Sequence, residues 1–197
     1  MIHHFAFIII AFSVAIGSVS AKAWLTYEKC ELVDEKYFDG DSFSVKAHTG
    51  YTYVFRLYGV DCPETDKRIK ARIVEQAKEF KVKEREVIRW GKKAANFTKK
   101  FLRKPFTVYT QKAEAGGASK KNRYYAIIVD SEGKRLDEAL LEAGLARAHG
   151  MGAEWDEPFW GKTKVDLPRK VDYDRFMTKL RFIENKAKRD KKGIWKR

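Results

Sequence analysis

Two cysteines in 197 residues are too few for a disulfide scaffold, and no C-x-x-C pair is present to suggest a zinc knuckle or a redox motif. Internal repeats and long linkers are absent. Prolines number only four and glycines thirteen, and with 44% hydrophobic content the composition fits one ordinary globular domain long enough for a sizeable core. An aromatic share of 14% excludes a polar chain that stays unfolded. Acidic residues are in deficit, 27 against 41 lysines and arginines, leaving a formal charge of +14. That excess favours polyanion partners, nucleic acid or an anionic membrane surface, and argues against cationic ones.

Charge is missing altogether from residues 1–21, which contain no Asp, Glu, Lys or Arg. The apolar stretch Phe5 to Ile16 has the length of a secretory h-region, and Val19-Ser20-Ala21 supplies small residues where a signal peptidase cuts. A leader over 1–21 and one domain over 22–197 are therefore expected, with a secreted or periplasmic protein as the product. The amino-terminal region offers only the chain terminus, His3 and His4 as positive groups, so an uncleaved anchor is the alternative. After cleavage no stable membrane association is expected. Export permits a disulfide, and Cys30 with Cys62 is the one available pair.

Runs rich in Val, Tyr and Phe predict strands at Cys30–Phe38, Ser42–Ala47 and Tyr51–Tyr58, with breaks at Asp39-Gly40 and His48-Thr49-Gly50. From Ile69 to Leu102 the pattern becomes helical, with Phe80, Val87, Ala94 and Phe101 recurring every seven residues; one or two amphipathic helices are expected. Strands follow at Phe106–Gln111 and Arg123–Val129. A short helix over Asp137–Ala143, with Asp137 as N-cap and Gly144 as its left-handed stop, precedes a final helix over Asp174–Lys188. Five strands interrupted by a helix is the count of a small Greek-key barrel of the OB type, making the fold class α+β.

Chemistry concentrates in Asp39-Gly40-Asp41 and in Arg56-Leu57-Tyr58-Gly59-Val60-Asp61-Cys62-Pro63-Glu64. Asp41 and Asp61, at the ends of neighbouring strands, could converge. Hard carboxylate oxygens without His or C-x-x-C suit Ca²⁺ better than a transition metal. Pro63 biases Cys62 toward extended backbone, offering its carbonyl as a further oxygen and aiming Glu64 away from the strand. Taken singly, each piece has a plainer reading, Asp-Gly as a turn and D-x-P-E as the start of a helix.

Together these segments resemble the thermonuclease (staphylococcal nuclease-like) family. The resemblance runs in order through Phe38-Asp39-Gly40-Asp41-Ser42, Phe55 to Glu64, Asn122-Arg123-Tyr124-Tyr125-Ala126, Asp137 to Leu140 with Ala143 to Ala146, and Ala187 to Trp195. It implies an OB-fold barrel with about three flanking helices and Ca²⁺-dependent hydrolysis of DNA and RNA, in single-stranded or flexible regions, by a monomer. By position, Asp41 and Asp61 would be calcium carboxylates, the Cys62 backbone carbonyl a further ligand, and Asp39 a residue behind them. Glu64 would be the catalytic glutamate, and Arg56 and Arg123 the phosphate-binding arginines. These side chains suit the reaction, which needs an activated water and neutralised phosphoryl charge, and arginine's planar fork can hold two phosphate oxygens at once.

The chain also departs from the family. Lys121-Asn122 stands where Tyr-Gly is usual, and Arg147-Ala148-His149-Gly150 where tyrosines cover the nucleotide. The insert Met151–Val171, with Trp155 and Trp160, could restore base stacking or form a small satellite core. A catalytically inactive OB-fold nucleic-acid-binding module is the competing class, but such a module has no use for Glu64 with Asp41 and Asp61. A lipid-surface protein fits less well, since the charges are not gathered on one basic amphipathic segment.

Overall fold

Along Thr52–Leu57 (β3) and Arg123–Val129 (β6), alternate residues turn inward, placing Phe55, Leu57, Ala126 and Ile128 in the core. The computed structural model describes residues 24–35, 38–116, 122–149 and 170–196; the leader 1–21 and most of the aromatic insert, 151–169, lie outside them. β3 and β6 pair in parallel, and the remaining ladders, formed by Leu25–Leu32 (β1), Ser42–Lys46 (β2) and Phe106–Glu114 (β5), are antiparallel. The closed order β1-β2-β3-β6-β5 leaves no open edge and makes the expected OB-type barrel. Two-residue strands, Val60–Asp61 (β4) and Arg147–Ala148 (β7), pair outside it.

Among the described residues four α-helices accompany the barrel: Lys70–Glu79 (α1), Glu84–Phe101 (α2), Leu136–Glu142 (α3) and Lys170–Arg189 (α4). The seven-residue pattern between 69 and 102 therefore belongs to two helices. Phe80 closes the first, Lys81 takes a positive φ of 52°, and the Lys83 N–H begins the second by donating to the Glu86 carboxylate at 3.4 Å. None of the helices among the described residues is long and apolar enough to cross a membrane.

Two local expectations are corrected, and one open question is answered. The first strand runs Leu25–Leu32 instead of Cys30–Phe38, because its partner is β5, distant in sequence, with Leu25 facing Thr110 and Cys30 facing Phe106. Asp137 is not the N-cap of α3; Arg135 holds that place, and the Asp137 carboxylate accepts the Glu138 N–H at 3.0 Å from within the first turn. Cys30 and Cys62 are both buried free thiols, without the disulfide that export would permit. Gly144 does end α3 as read, with φ of 65°, its N–H on the Leu141 carbonyl and that of Leu145 on Leu140, both at 2.9 Å.

Candidate active site

Four connected segments bring the charged residues together at one end of the barrel. The β2–β3 ladder sets Ser42 opposite Arg56, and the Leu57 N–H donates to the Asp41 carbonyl at 2.8 Å, so Asp41 lies beside the end of β3. The β4–β7 pair then sets Asp61 opposite Arg147. From α1 come Arg72 and Gln76, a turn apart on one face. Gly40 is needed here for closeness and not for a turn conformation, since a Cβ on it would stand 2.7 Å from Ala94 Cβ and 2.9 Å from Cys62 Sγ.

At the centre is Asp61, whose side chain is 1% exposed. Its Oδ1 accepts from Arg56 Nη2 at 2.8 Å and Arg72 Nη2 at 2.6 Å. Its Oδ2 accepts from Gln76 Nε2 and Arg147 Nε, both at 3.0 Å. Burial alone would push this carboxyl up, but Arg56, Arg72 and Arg147 together hold it well below the usual range. Arg56 also lies 3.6 Å from Asp41 Oδ2, and the same Asp41 oxygen accepts the Cys62 N–H at 2.7 Å. Asp39 accepts a hydrogen bond from the Thr65 hydroxyl and lies close enough to feel the charges of Asp41 and Arg56.

Glu64 stands at the edge, its backbone N–H donating to Gln76 Oε1 at 2.8 Å. Gln76 in turn donates to the Cys62 carbonyl at 2.8 Å, so one fully buried amide fixes the backbone on both sides of Pro63. Burial first, and then the charges of Asp39, Asp41 and Asp61, raise the Glu64 carboxyl to about 7 in spite of Arg72, whose Nε is 3.4 Å from Oε1. A carboxylate of that basicity suits proton abstraction near neutral pH.

Arg123 differs from the other arginines of the cluster. Its three described hydrogen bonds go to neutral oxygens: the Gly116 carbonyl at 3.0 Å, Ser42 Oγ at 3.2 Å and the Ala115 carbonyl at 3.3 Å. Burial and the like charge of Arg56 both lower its pKa. Arg56 is paired with Asp61 and Asp41, whereas Arg123, close enough to feel the charge of Arg56, makes its described hydrogen bonds to neutral acceptors only, which suits it to take an anion. A sequence model describing the staphylococcal nuclease homologue matches residues 54–158, more than half of the chain, and takes in Arg56, Asp61, Glu64 and Arg123. The chain belongs to that family. No curated protein matches it.

The family is generally calcium-dependent, and the donor set can be tested for that ion. Calcium takes about six to eight oxygen ligands, whereas a carboxylate has about four lone-pair positions. All four of Asp61 accept hydrogen bonds, the Cys62 carbonyl accepts Gln76, and Asp41 Oδ2 accepts Cys62. Asp41 Oδ1 is the one carboxylate oxygen of this pair with no hydrogen bond among the described residues. No group of three or more His, Cys, Asp or Glu side chains among them is arranged to hold a metal. As arranged, these residues do not fit calcium: Asp41 and Asp61 converge on guanidiniums instead of a shared cation.

Sequence reading missed Arg72, Gln76 and Arg147. Gln76 had a signal: it occupies a position of the apolar stripe Ile73, Gln76, Phe80, where a buried amide needs polar partners. Arg147 had none, because its neighbour is set by the β4–β7 pairing. His149 is half-buried with its backbone N–H on the Gly59 carbonyl at 3.0 Å, and burial lowers its pKa.

Gly91 of α2 supports the site from behind. A Cβ there would stand 2.5 Å from the Pro63 carbonyl oxygen and closer still to that of Glu64. Gly91→Ala is therefore expected to cost about 1–3 kcal/mol through overpacking and to displace the Glu64 backbone. Thermal unfolding and cleavage assays should fall together; an unchanged melting temperature would mean that the loop accommodates the methyl group freely.

Proposed function

We propose that this chain is an exported, monomeric nuclease that hydrolyses phosphodiester bonds of DNA and RNA in single-stranded or flexible regions. The observation that carries the reading is the pairing of Arg123, bonded to neutral oxygens only, with Arg56 near a carboxyl raised to about 7. A phosphate placed against Arg123 would give it the anionic partner that its described hydrogen bonds do not supply, with the charge of Arg56 nearby. Glu64 takes a proton from a water as its oxygen attacks phosphorus, a P–O ester bond breaks, and the departing oxygen takes up a proton from solvent. The arginines offset the negative charge that grows on the phosphoryl oxygens. Export rests on the uncharged leader 1–21 with its small residues at Val19-Ser20-Ala21.

Incubation of purified protein with labelled single-stranded DNA and RNA tests this directly: product fragments are expected, and Glu64→Gln should form them far more slowly. Tight binding without cleavage by the unmodified chain would favour the alternative, a binding module. Binding should weaken steeply with salt, because each neutralised phosphate releases counterions and the chain carries +14. Beside Asp39 and Thr65 a groove of about 780 Å³, lined also by Lys67, Lys92 and Lys99, offers further cations along a strand. Filter binding across salt concentrations should give a straight, steep log–log line; a flat one would remove the basic surface as the binding face.

A further inference from the structure

We propose that Arg72 is a built-in cation that occupies the place of a divalent metal at Asp61, so that this site neither binds calcium nor needs it. The guanidinium spans two carboxylates as a bridging cation would, with Nη2 at 2.6 Å from Asp61 Oδ1 and Nε at 3.4 Å from Glu64 Oε1. It is held from behind. Glu75 Oε2 lies 2.7 Å from Arg72 Nη1, and Glu75 Oε1 lies 2.6 Å from Arg147 Nη2, so one carboxylate fixes both guanidiniums against Asp61. The arrangement is thus buttressed on both sides by α1 and β7.

The pairing points the same way. Each carboxylate of the cluster already has a guanidinium: Asp41 and Asp61 lie on Arg56, Asp61, Glu64 and Glu75 on Arg72, and Asp61 and Glu75 on Arg147. A dication added to this cluster would lie among guanidiniums already paired, and Asp61 could ligate it only by releasing charge-assisted hydrogen bonds from groups that are largely buried. The Arg147 side chain is 9% exposed, whereas that of Arg72, which also contacts Glu64, is 31% exposed. Arg72 is therefore the member of the cage whose removal would open space and leave uncompensated negative charge.

Metal binding is read by terbium luminescence and by calcium calorimetry, independently of any catalysis, and the activity arm alone rests on the nuclease reading. Unmodified protein is expected to show no saturable site for either ion and to cleave single-stranded DNA at the same rate in calcium and in chelator. Arg72→Ala should gain one calcium site, lost again when Asp61→Asn is added. In chelator its cleavage should fall by about 10²-fold, as for loss of one electrostatic contact to a transition state, and calcium should restore part of the loss. Arg72→Met, which keeps the packing of the stem, repeats the test if the alanine variant does not fold. One saturable calcium site in the unmodified protein, abolished by Asp61→Asn, would overturn the proposal, as would a folded Arg72 variant that gains no calcium site. If the unmodified chain cleaves neither DNA nor RNA under either condition, the nuclease reading fails, and the metal titrations still decide the inference.

Discussion

Glu64→Gln is expected to lower the rate of phosphodiester cleavage by about 10²- to 10⁴-fold, the usual contribution of a positioned general base, while affinity for single-stranded DNA holds or rises. The substitution keeps the shape of the side chain and the Glu64 N–H bond to Gln76, so the loop that carries it should stay in place. It removes one negative charge from this end of the barrel, where a phosphate on Arg123 would sit, and that favours binding. The carboxyl is raised to about 7 by burial and by Asp39, Asp41 and Asp61, so the basic form predominates only above that pH. Cleavage by the unmodified chain should therefore rise with pH and level off above an inflection near 7, and the glutamine variant should lose that inflection. Rates from single-turnover assays across pH, with binding measured in parallel, check both parts. Wild-type cleavage by Glu64→Gln would remove the base from the mechanism.

The parts of this site that were legible in the sequence are those whose neighbours are close along the chain or fixed by a hairpin. Asp41 and Arg56 lie on strands joined by one turn, and Asp61 to Glu64 follow at once, so their convergence could be argued from alternation and turn chemistry. Their partners could not. Arg72 and Gln76 reach Asp61 because α1 packs on the β4 end, and Arg147 reaches it from 86 residues away. Composition reports an arginine as a surface charge by default, and only a nonlocal contact shows that it is spent on a buried carboxylate. The same physics explains the calcium expectation. Two carboxylates at adjacent strand ends attract cations, and the sequence places them together without showing the three arginines that ion-pair with Asp61 in the folded chain. The misplaced first strand has a related cause, since its extent follows its ladders, Leu25 to Cys30 on β5 and Glu31 to Leu32 on β2, and not its own residues alone.

Arg123→Ala is the complementary case, and its expected effect is a loss of about 10²- to 10³-fold in cleavage, the scale for deleting one donor aimed at developing transition-state charge. Ground-state affinity should fall much less, because a single phosphate contact among many contributes modestly to binding by a chain of charge +14. The residue also has a local duty, holding the Ala115 and Gly116 carbonyls and Ser42 Oγ, so its loss could loosen the end of β5. The two roles can be separated. Arg123→Lys keeps a positive charge but not the planar fork, and can reach fewer of these oxygens at once. If the charge matters through the phosphate, lysine should recover part of the rate with little recovery of melting temperature. If the carbonyl contacts are what matters, rate and melting temperature should move together through both variants. The lowered pKa of Arg123, set by burial and the nearby Arg56, is a cost that the folded chain carries in the absence of an anion. That cost offsets part of what the lost carbonyl contacts contribute, so removing the residue should lower stability modestly while crippling turnover, and a variant that unfolds easily yet cleaves at full rate would reassign Arg123 to a purely structural role.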